Sequence, residues 1–189
     1  MIETCIDCGA RINPMMYPCF EQACPHVELK EERDAVISDC GTYRYLLCRI
    51  WDRRRPIVLF VMLNASTADA KIDDATIRSC IRLTKELGFG GFEVVNLFGL
   101  RATDPSELQR ADDPVGPMND DSIVAAAGRC NLIICAWGAH PMASRRSNHV
   151  CALLRKHRPA FFCFGKTKAG APKHPLYIKS GTRLEIFRT

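Results

Sequence analysis

A chain of 189 residues, 47% of them hydrophobic, has apolar content for one good core, which excludes a second large domain. Its formal charge of +5 favours a nucleic-acid partner only weakly, because a mixed surface with one basic patch also accounts for it. No apolar run reaches the roughly 18 residues that span a bilayer, and the first ten residues lack the basic and apolar regions of an export signal. A soluble, cytoplasmic, monomeric protein that does not engage membranes is expected.

The eleven cysteines divide into two groups. Cys5, Cys8, Cys19 and Cys24 form C-x2-C, ten intervening residues and C-x4-C, in a segment with little else to build a core. Two pairs of thiolates joined by a short loop suit one structural zinc ion, whose binding would supply folding energy. His26 and Cys40 are alternatives to Cys24 as the fourth ligand. The others, Cys48, Cys80, Cys130, Cys135, Cys151 and Cys163, sit among apolar neighbours and read as small hydrophobes. Residues 1–40 are therefore expected to form a zinc knuckle with a connector, and residues 41–189 an α/β domain.

In chain order, residues 27–36 read as a polar connector or short helix. Residues 42–51, TYRYLLCRIW, alternate as a strand does, and the basic turn DRRRP leads into an apolar strand over 57–63, which predicts a hairpin. Asp73 or Asp74 caps a helix carrying Ile77, Cys80, Ile81 and Leu87, stopped by Gly88, Gly90 and Gly91. A strand ending at Asn96 follows, then a long irregular loop over 99–118. Asn119 is a second cap, opening a helix that leads to a strand near Trp137; a third helix covers 148–157, and AFFCFG supplies the next strand. Strands alternating with helices imply a parallel sheet covered on both faces, with loops converging at the carboxyl ends of the strands.

Four segments carry the functional reading: VLFVMLNASTAD (58–69), EVVNLFGLRA (93–102), LIICAWG (132–138) and KHPLYI (173–178). Their order resembles the uracil-DNA glycosylase superfamily. That resemblance implies a three-layer αβα sandwich with a central, mostly parallel four-stranded sheet, and an enzyme that flips a nucleotide out of DNA and hydrolyses its N-glycosidic bond without an organic cofactor. It implies catalytic roles for Asn64, which positions water, and His174, which hydrogen-bonds the departing base; Asp69 and Asp74 are the nearest carboxylates to take the water's proton. Asn96 would read the base, with Ser66 and Trp137 beside it. Lys166, Lys168, Lys173 and Arg101 would hold phosphates, and Tyr177 or Leu176 would fill the gap left by the flipped base.

A closer similarity is to a bacterial and phage family of unknown function, with the signature LNPSTAD, DDPTIRRC, NLF-x-LRATDP, DPVGPxND, WG and G-x-TKxGxPxHPLY. This chain has LNASTAD, DDATIRSC, NLFGLRATDP, DPVGPMND, AWG and GKTKAGAPKHPLY over roughly residues 43–178, with Ala65 and Ala75 in place of prolines. Small residues after Asn64 leave no bulky wall against a pyrimidine 5-substituent. The implied activity is therefore excision of a modified pyrimidine, such as the hydroxymethylated or glucosylated cytosine of phage DNA, in antiviral defence. The rival reading is a noncatalytic nucleic-acid-binding module with a zinc knuckle. A zinc deaminase is excluded because PCFEQAC has the wrong spacing and no His-x-Glu occurs. LNASTAD lacks the glycines of a dinucleotide-binding turn.

Overall fold

A computed structural model describes residues 3–4, 11–12, 31–66 and 69–188, and the chain divides into two units, Met1–Lys30 and Glu31–Thr189. In the first unit β1 (Glu3–Thr4) pairs antiparallel with β2 (Arg11–Ile12). Cys5, Cys8, Cys19, Cys24 and His26, on which the zinc knuckle rests, lie outside the described residues. Among the described residues no three His, Cys, Asp or Glu side chains gather as a metal site, and Cys40 is an exposed thiol.

The second unit is built on one mixed sheet of seven strands: β3 (Glu32–Ile37), β4 (Arg44–Ile50), β5 (Ile57–Ala65), β6 (Gly91–Arg101), β7 (Leu132–Cys135), β8 (Phe161–Cys163) and β9 (Glu185–Phe187). Their order in space is β3-β4-β6-β5-β7-β8-β9. Pairings β3–β4, β4–β6 and β8–β9 are antiparallel, while β6–β5, β5–β7 and β7–β8 are parallel. The expected four-stranded, mostly parallel sheet is thus corrected to a seven-stranded mixed one. Two strands account for much of the difference. β3 falls within the stretch expected as a polar connector, because its burial alternates between exposed and half-buried, the mark of an edge strand. β9 is three residues long and carries little pattern. The expected hairpin of β4 with β5 is also absent, since β6 lies between them. The division after Lys30 leaves β3 in the second unit, as part of its sheet.

Alternation along the central strands sorts side chains between two cores. Val58, Phe60 and Met62 of β5 and Phe92 and Val94 of β6 meet α1 (Ala75–Glu86) through Ile77, Cys80 and Leu83. Leu59, Val61 and Leu63, with Val95 and Leu97, meet α2 (Asn119–Arg129) and α3 (Ala143–Arg155) on the other face. Burial of each such large side chain contributes about 1.5–3 kcal/mol. The six cysteines from Cys48 to Cys163 are buried with none in a disulfide.

Helix α1 starts where Asp74 accepts the Ile77 N–H at 2.8 Å, and ends before Gly88, whose φ of 78° suits glycine. Asn119 is the first residue of α2 rather than its cap. Its buried amide donates to the carbonyls of Asn96 and Leu97, tying α2 to the middle of β6. Helix α3 begins five residues before the expected position 148.

Candidate functional site

Beyond Met62 the apolar row on the α1 face of β5 gives way to Asn64, and a cavity of about 160 Å³ opens there. Met62, Ile77 and Ala102 give it apolar walls, and Arg44, Asn64, Ser66, Asp74, Thr76, Thr103 and His174 also line it. A void of roughly 150 Å³ takes up a single six-membered ring. The cavity therefore suits a pyrimidine-sized group.

Each polar side chain is positioned by identifiable contacts. Asn64 donates through Nδ2 to the Ala102 carbonyl at 2.7 Å and to the Ala65 carbonyl at 3.3 Å. With its donor so occupied, Asn64 has Oδ1 to offer as an acceptor. Asp74 uses one carboxylate oxygen to cap α1 and the other to accept the Ser66 hydroxyl at 2.7 Å, closing the loop between β5 and α1. His174 comes from a distant segment, at the head of a short 3-10 turn, Pro175–Tyr177. Burial lowers its pKa, against the pull of the Asp74 charge, so the ring is neutral at pH 7. Its Nδ1 accepts the Leu176 N–H at 3.4 Å, which leaves the ring proton on Nε2. Gly138, at φ 72°, lies beside His174: a Cβ built there would be in ordinary contact, 3.6 Å from that of His174, which brings the segment after β7 to the site.

Two buried arginines, neither distinguished in the sequence, stand near opposite ends of β4. Arg44 is 1% exposed, lines the cavity and donates to Asn96 Oδ1 at 3.2 Å. Simple alternation would aim it away from Leu47 and the α1 face. A register shift between Val36 and Ile37 places Arg44 opposite Ile37 and leaves Tyr45 as an extra residue, and such a bulge re-aims the side chain. Arg49 is fully buried; it binds Asp73 at 2.8 Å and the Asp69 carbonyl at 2.7 Å. Arg33 reaches the second Asp73 oxygen at 2.6 Å. Arg49 thus pins both ends of the stretch from Asp69 to Asp73, and Arg33 adds a second hold on Asp73.

Residues 44–176 match the model of a family described as protein of unknown function (DUF1643). The chain belongs to this DUF1643 family. No curated protein and no solved structure matches it significantly. The matched segment begins at the cavity residue Arg44 and takes in His174, so the whole cavity wall falls inside the family region.

Of the residues expected at a site, the structure brings Asn64, Ser66, Asp74 and His174 together. Asp69 is not among the cavity residues. Its carboxylate accepts the N–H groups of Lys71 and Ile72, which hold its pKa below the usual range, so it works as a turn residue. Asn96 is not at a strand end: β6 continues five residues past it, and it lies buried behind Arg44. Trp137 follows the odd-numbered alternation of β7 into the other core, packing edge-on against Phe187 at 5.5 Å. Arg101 is half-buried and donates to the Gly41 carbonyl. Lys166, Lys168 and Lys173 are exposed on a tight hairpin bridged at Lys166 and Pro172, and Leu176 and Tyr177 are 44% and 77% exposed next to His174. Arg44, Thr76 and Thr103 were missed; only the break in apolar alternation at Arg44 hinted at any of them.

Proposed function

We propose that the protein is a monofunctional DNA glycosylase that flips out and excises a modified pyrimidine, leaving an abasic site. The observation that supports this reading most strongly is the convergence of Asn64, Asp74 and His174, from three separate segments, on a cavity sized for one ring. In this reading Asn64 Oδ1 accepts a hydrogen bond from the attacking water and holds its oxygen toward the anomeric carbon. Asp74 is the carboxylate that takes the water's proton as the sugar develops oxocarbenium character. Neutral His174 donates through Nε2 to an oxygen of the departing base, where negative charge collects.

Because the cavity has room for about one ring, a hydroxymethyl or glucosyl substituent would extend through its mouth. The lysine hairpin and the exposed Leu176–Tyr177 pair supply phosphate contacts and a wedge. Making phage genomes abasic would give the activity a defensive role.

The test is incubation of the full chain with unmodified, uracil-containing, hydroxymethylated and glucosylated DNA. Abasic sites are counted by aldehyde labelling and released bases identified by mass spectrometry. Release from a modified DNA supports the enzyme. Retained binding without release from any of them supports the noncatalytic binding module.

The four N-terminal cysteines form, in the same proposal, a structural zinc site. Metal analysis of the purified chain is expected to give one zinc per molecule, and chelation to lower the melting temperature; a metal-free protein with unaltered melting contradicts it.

A further inference from the structure

His174 reaches the cavity from the stretch between β8 and β9, which contains no strand and no α-helix, only the bridged hairpin and the three-residue turn Pro175–Tyr177. A turn that short does not hold itself in place, so the position of the ring depends on what fastens the chain on either side. Before His174 the fastening is by backbone: the Gly138 N–H donates to the Pro172 carbonyl and the Lys173 N–H to the Gly165 carbonyl, each at 2.9 Å. After it the fastening comes from two side chains of α1. Arg82 donates to the Ile178 carbonyl at 2.7 Å and to Glu86 at 3.0 Å. The Glu86 carboxylate accepts the Ser180 hydroxyl and, at 3.1 Å, the Gly181 N–H. Ile178 itself is 6% exposed and packs into the core beside α1.

Neither charge stands where it would best stabilise α1. Glu86 is the last residue of the helix, where a carboxylate opposes the helix dipole, and arginine before glutamate is the weaker order of an i,i+4 pair. Both side chains instead serve the segment they hold. The same helix carries Asp74 at its start, in the cavity wall. We propose that Arg82 and Glu86 are positioning residues for His174: they strap the chain after it to α1 and so set where its ring stands relative to Asp74. Neither lines the cavity, so they act only through that chain. The catalytic consequence rests on the glycosylase reading, in which His174 and Asp74 serve one nucleotide and a misplacement of about 1 Å costs about 100-fold in rate.

The experiment uses the full chain and reads the His174 ring directly. Proton NMR of the five histidines, with His174→Gln to assign the signal, follows its titration in the parent, Arg82→Met and Glu86→Ala, well below each melting temperature. Burial holds the parent's midpoint below 6.5. A loosened strap admits water to the ring, so both variants are expected to titrate closer to 6.5. Direct charge effects do not give that pair of shifts, because losing a cation raises a histidine's midpoint and losing a carboxylate lowers it. The charged groups around the ring, Asp74 and Arg44 in the cavity wall and Lys173 beside it in the chain, are the same in every variant. Arg82→Lys, which keeps a charged donor, is expected to titrate as the parent does. Glu86 is 30% exposed, so Glu86→Ala decides the matter if Arg82→Met does not fold. On a DNA that the parent cleaves, single-turnover release is expected to fall at least about tenfold in both variants, with DNA affinity unchanged. A lower melting temperature with an unchanged His174 titration, or with release as fast as the parent's, overturns the positioning role. Absence of release by the parent overturns the glycosylase reading, and the titration still decides the strap.

Discussion

Asn64 donates its amide hydrogen to the Ala102 carbonyl at 2.7 Å, and this contact fixes which end of the amide is left to accept. The bond spans the end of β5 and the first residue after β6, so the geometry comes from the sheet and not from a mobile loop. Asn64→Ala should remove the acceptor that orients water and lower base release by at least about 100-fold, with DNA affinity unchanged in fluorescence anisotropy. Asn64→Asp should be less stable by about 1–3 kcal/mol in urea denaturation, because the new oxygen faces two carbonyls without a proton to donate.

His174 supplies a pH signature. Its folded pKa lies below the ordinary value of 6.5 because burial disfavours the charged ring. Between those two values the unfolded chain binds more protons than the folded one, so stability rises with pH in that window and is fully present above 6.5. The melting temperature should therefore decline as pH falls below about 6.5, and His174→Gln should flatten that decline. Parallel melting curves against pH for parent and variant would show that the ring is not held neutral.

Asp69 and Asp73 lie four residues apart yet should respond oppositely. Asp73 bridges Arg33 and the fully buried Arg49, and its removal leaves a buried cation without its carboxylate. Asp73→Ala should cost about 3 kcal/mol, the lower end for a broken buried pair, because Asp73 keeps 17% of its side-chain surface exposed. The Asp69 carboxylate accepts the local N–H groups of Lys71 and Ile72, so base release by Asp69→Ala should stay within about twofold of the parent. A large loss of turnover in Asp69→Ala with normal folding would return it to the catalytic set.

How much of this was legible in the sequence varies with the physics of each element. Helix α1 was readable because its apolar spacing, the Asp74 cap and Gly88 agree with one another. β3 was not, since an edge strand that hides half its residues looks like a polar linker. The polar residues in apolar strands misled in a specific way. Asn64 and Asn96 both interrupt hydrophobic runs, which suggested two strand ends, yet β6 continues to Arg101 and buries Asn96 against Arg44. Trp137 is separated from the cavity by alternation alone, which the sequence fixes only once the strand register is known. Arg44 and Arg49 were passed over because nothing local reveals that a strand arginine is buried; the bulge and the Asp73 pair that bury them are contacts between distant residues.

The lysine hairpin carries a salt-dependence prediction. If Lys166, Lys168 and Lys173 each neutralise one phosphate, replacing all three by Ala should reduce the slope of log binding constant against log salt by about 2 to 3. Binding to modified and unmodified DNA should weaken equally, because phosphate contacts carry no base information. An unchanged slope in a titration from low to high salt would place the DNA path elsewhere.

The most direct test of the central claim is mass-spectrometric detection of free base after full-length protein meets hydroxymethylated or glucosylated phage DNA, with Asn64→Ala and His174→Ala run alongside. The expected result is intact modified base released by the parent, abasic sites in matching number, and little of either from the two variants. Equal release by parent and variants, or none from the parent while it binds the DNA, would contradict a glycosylase centred on this cavity.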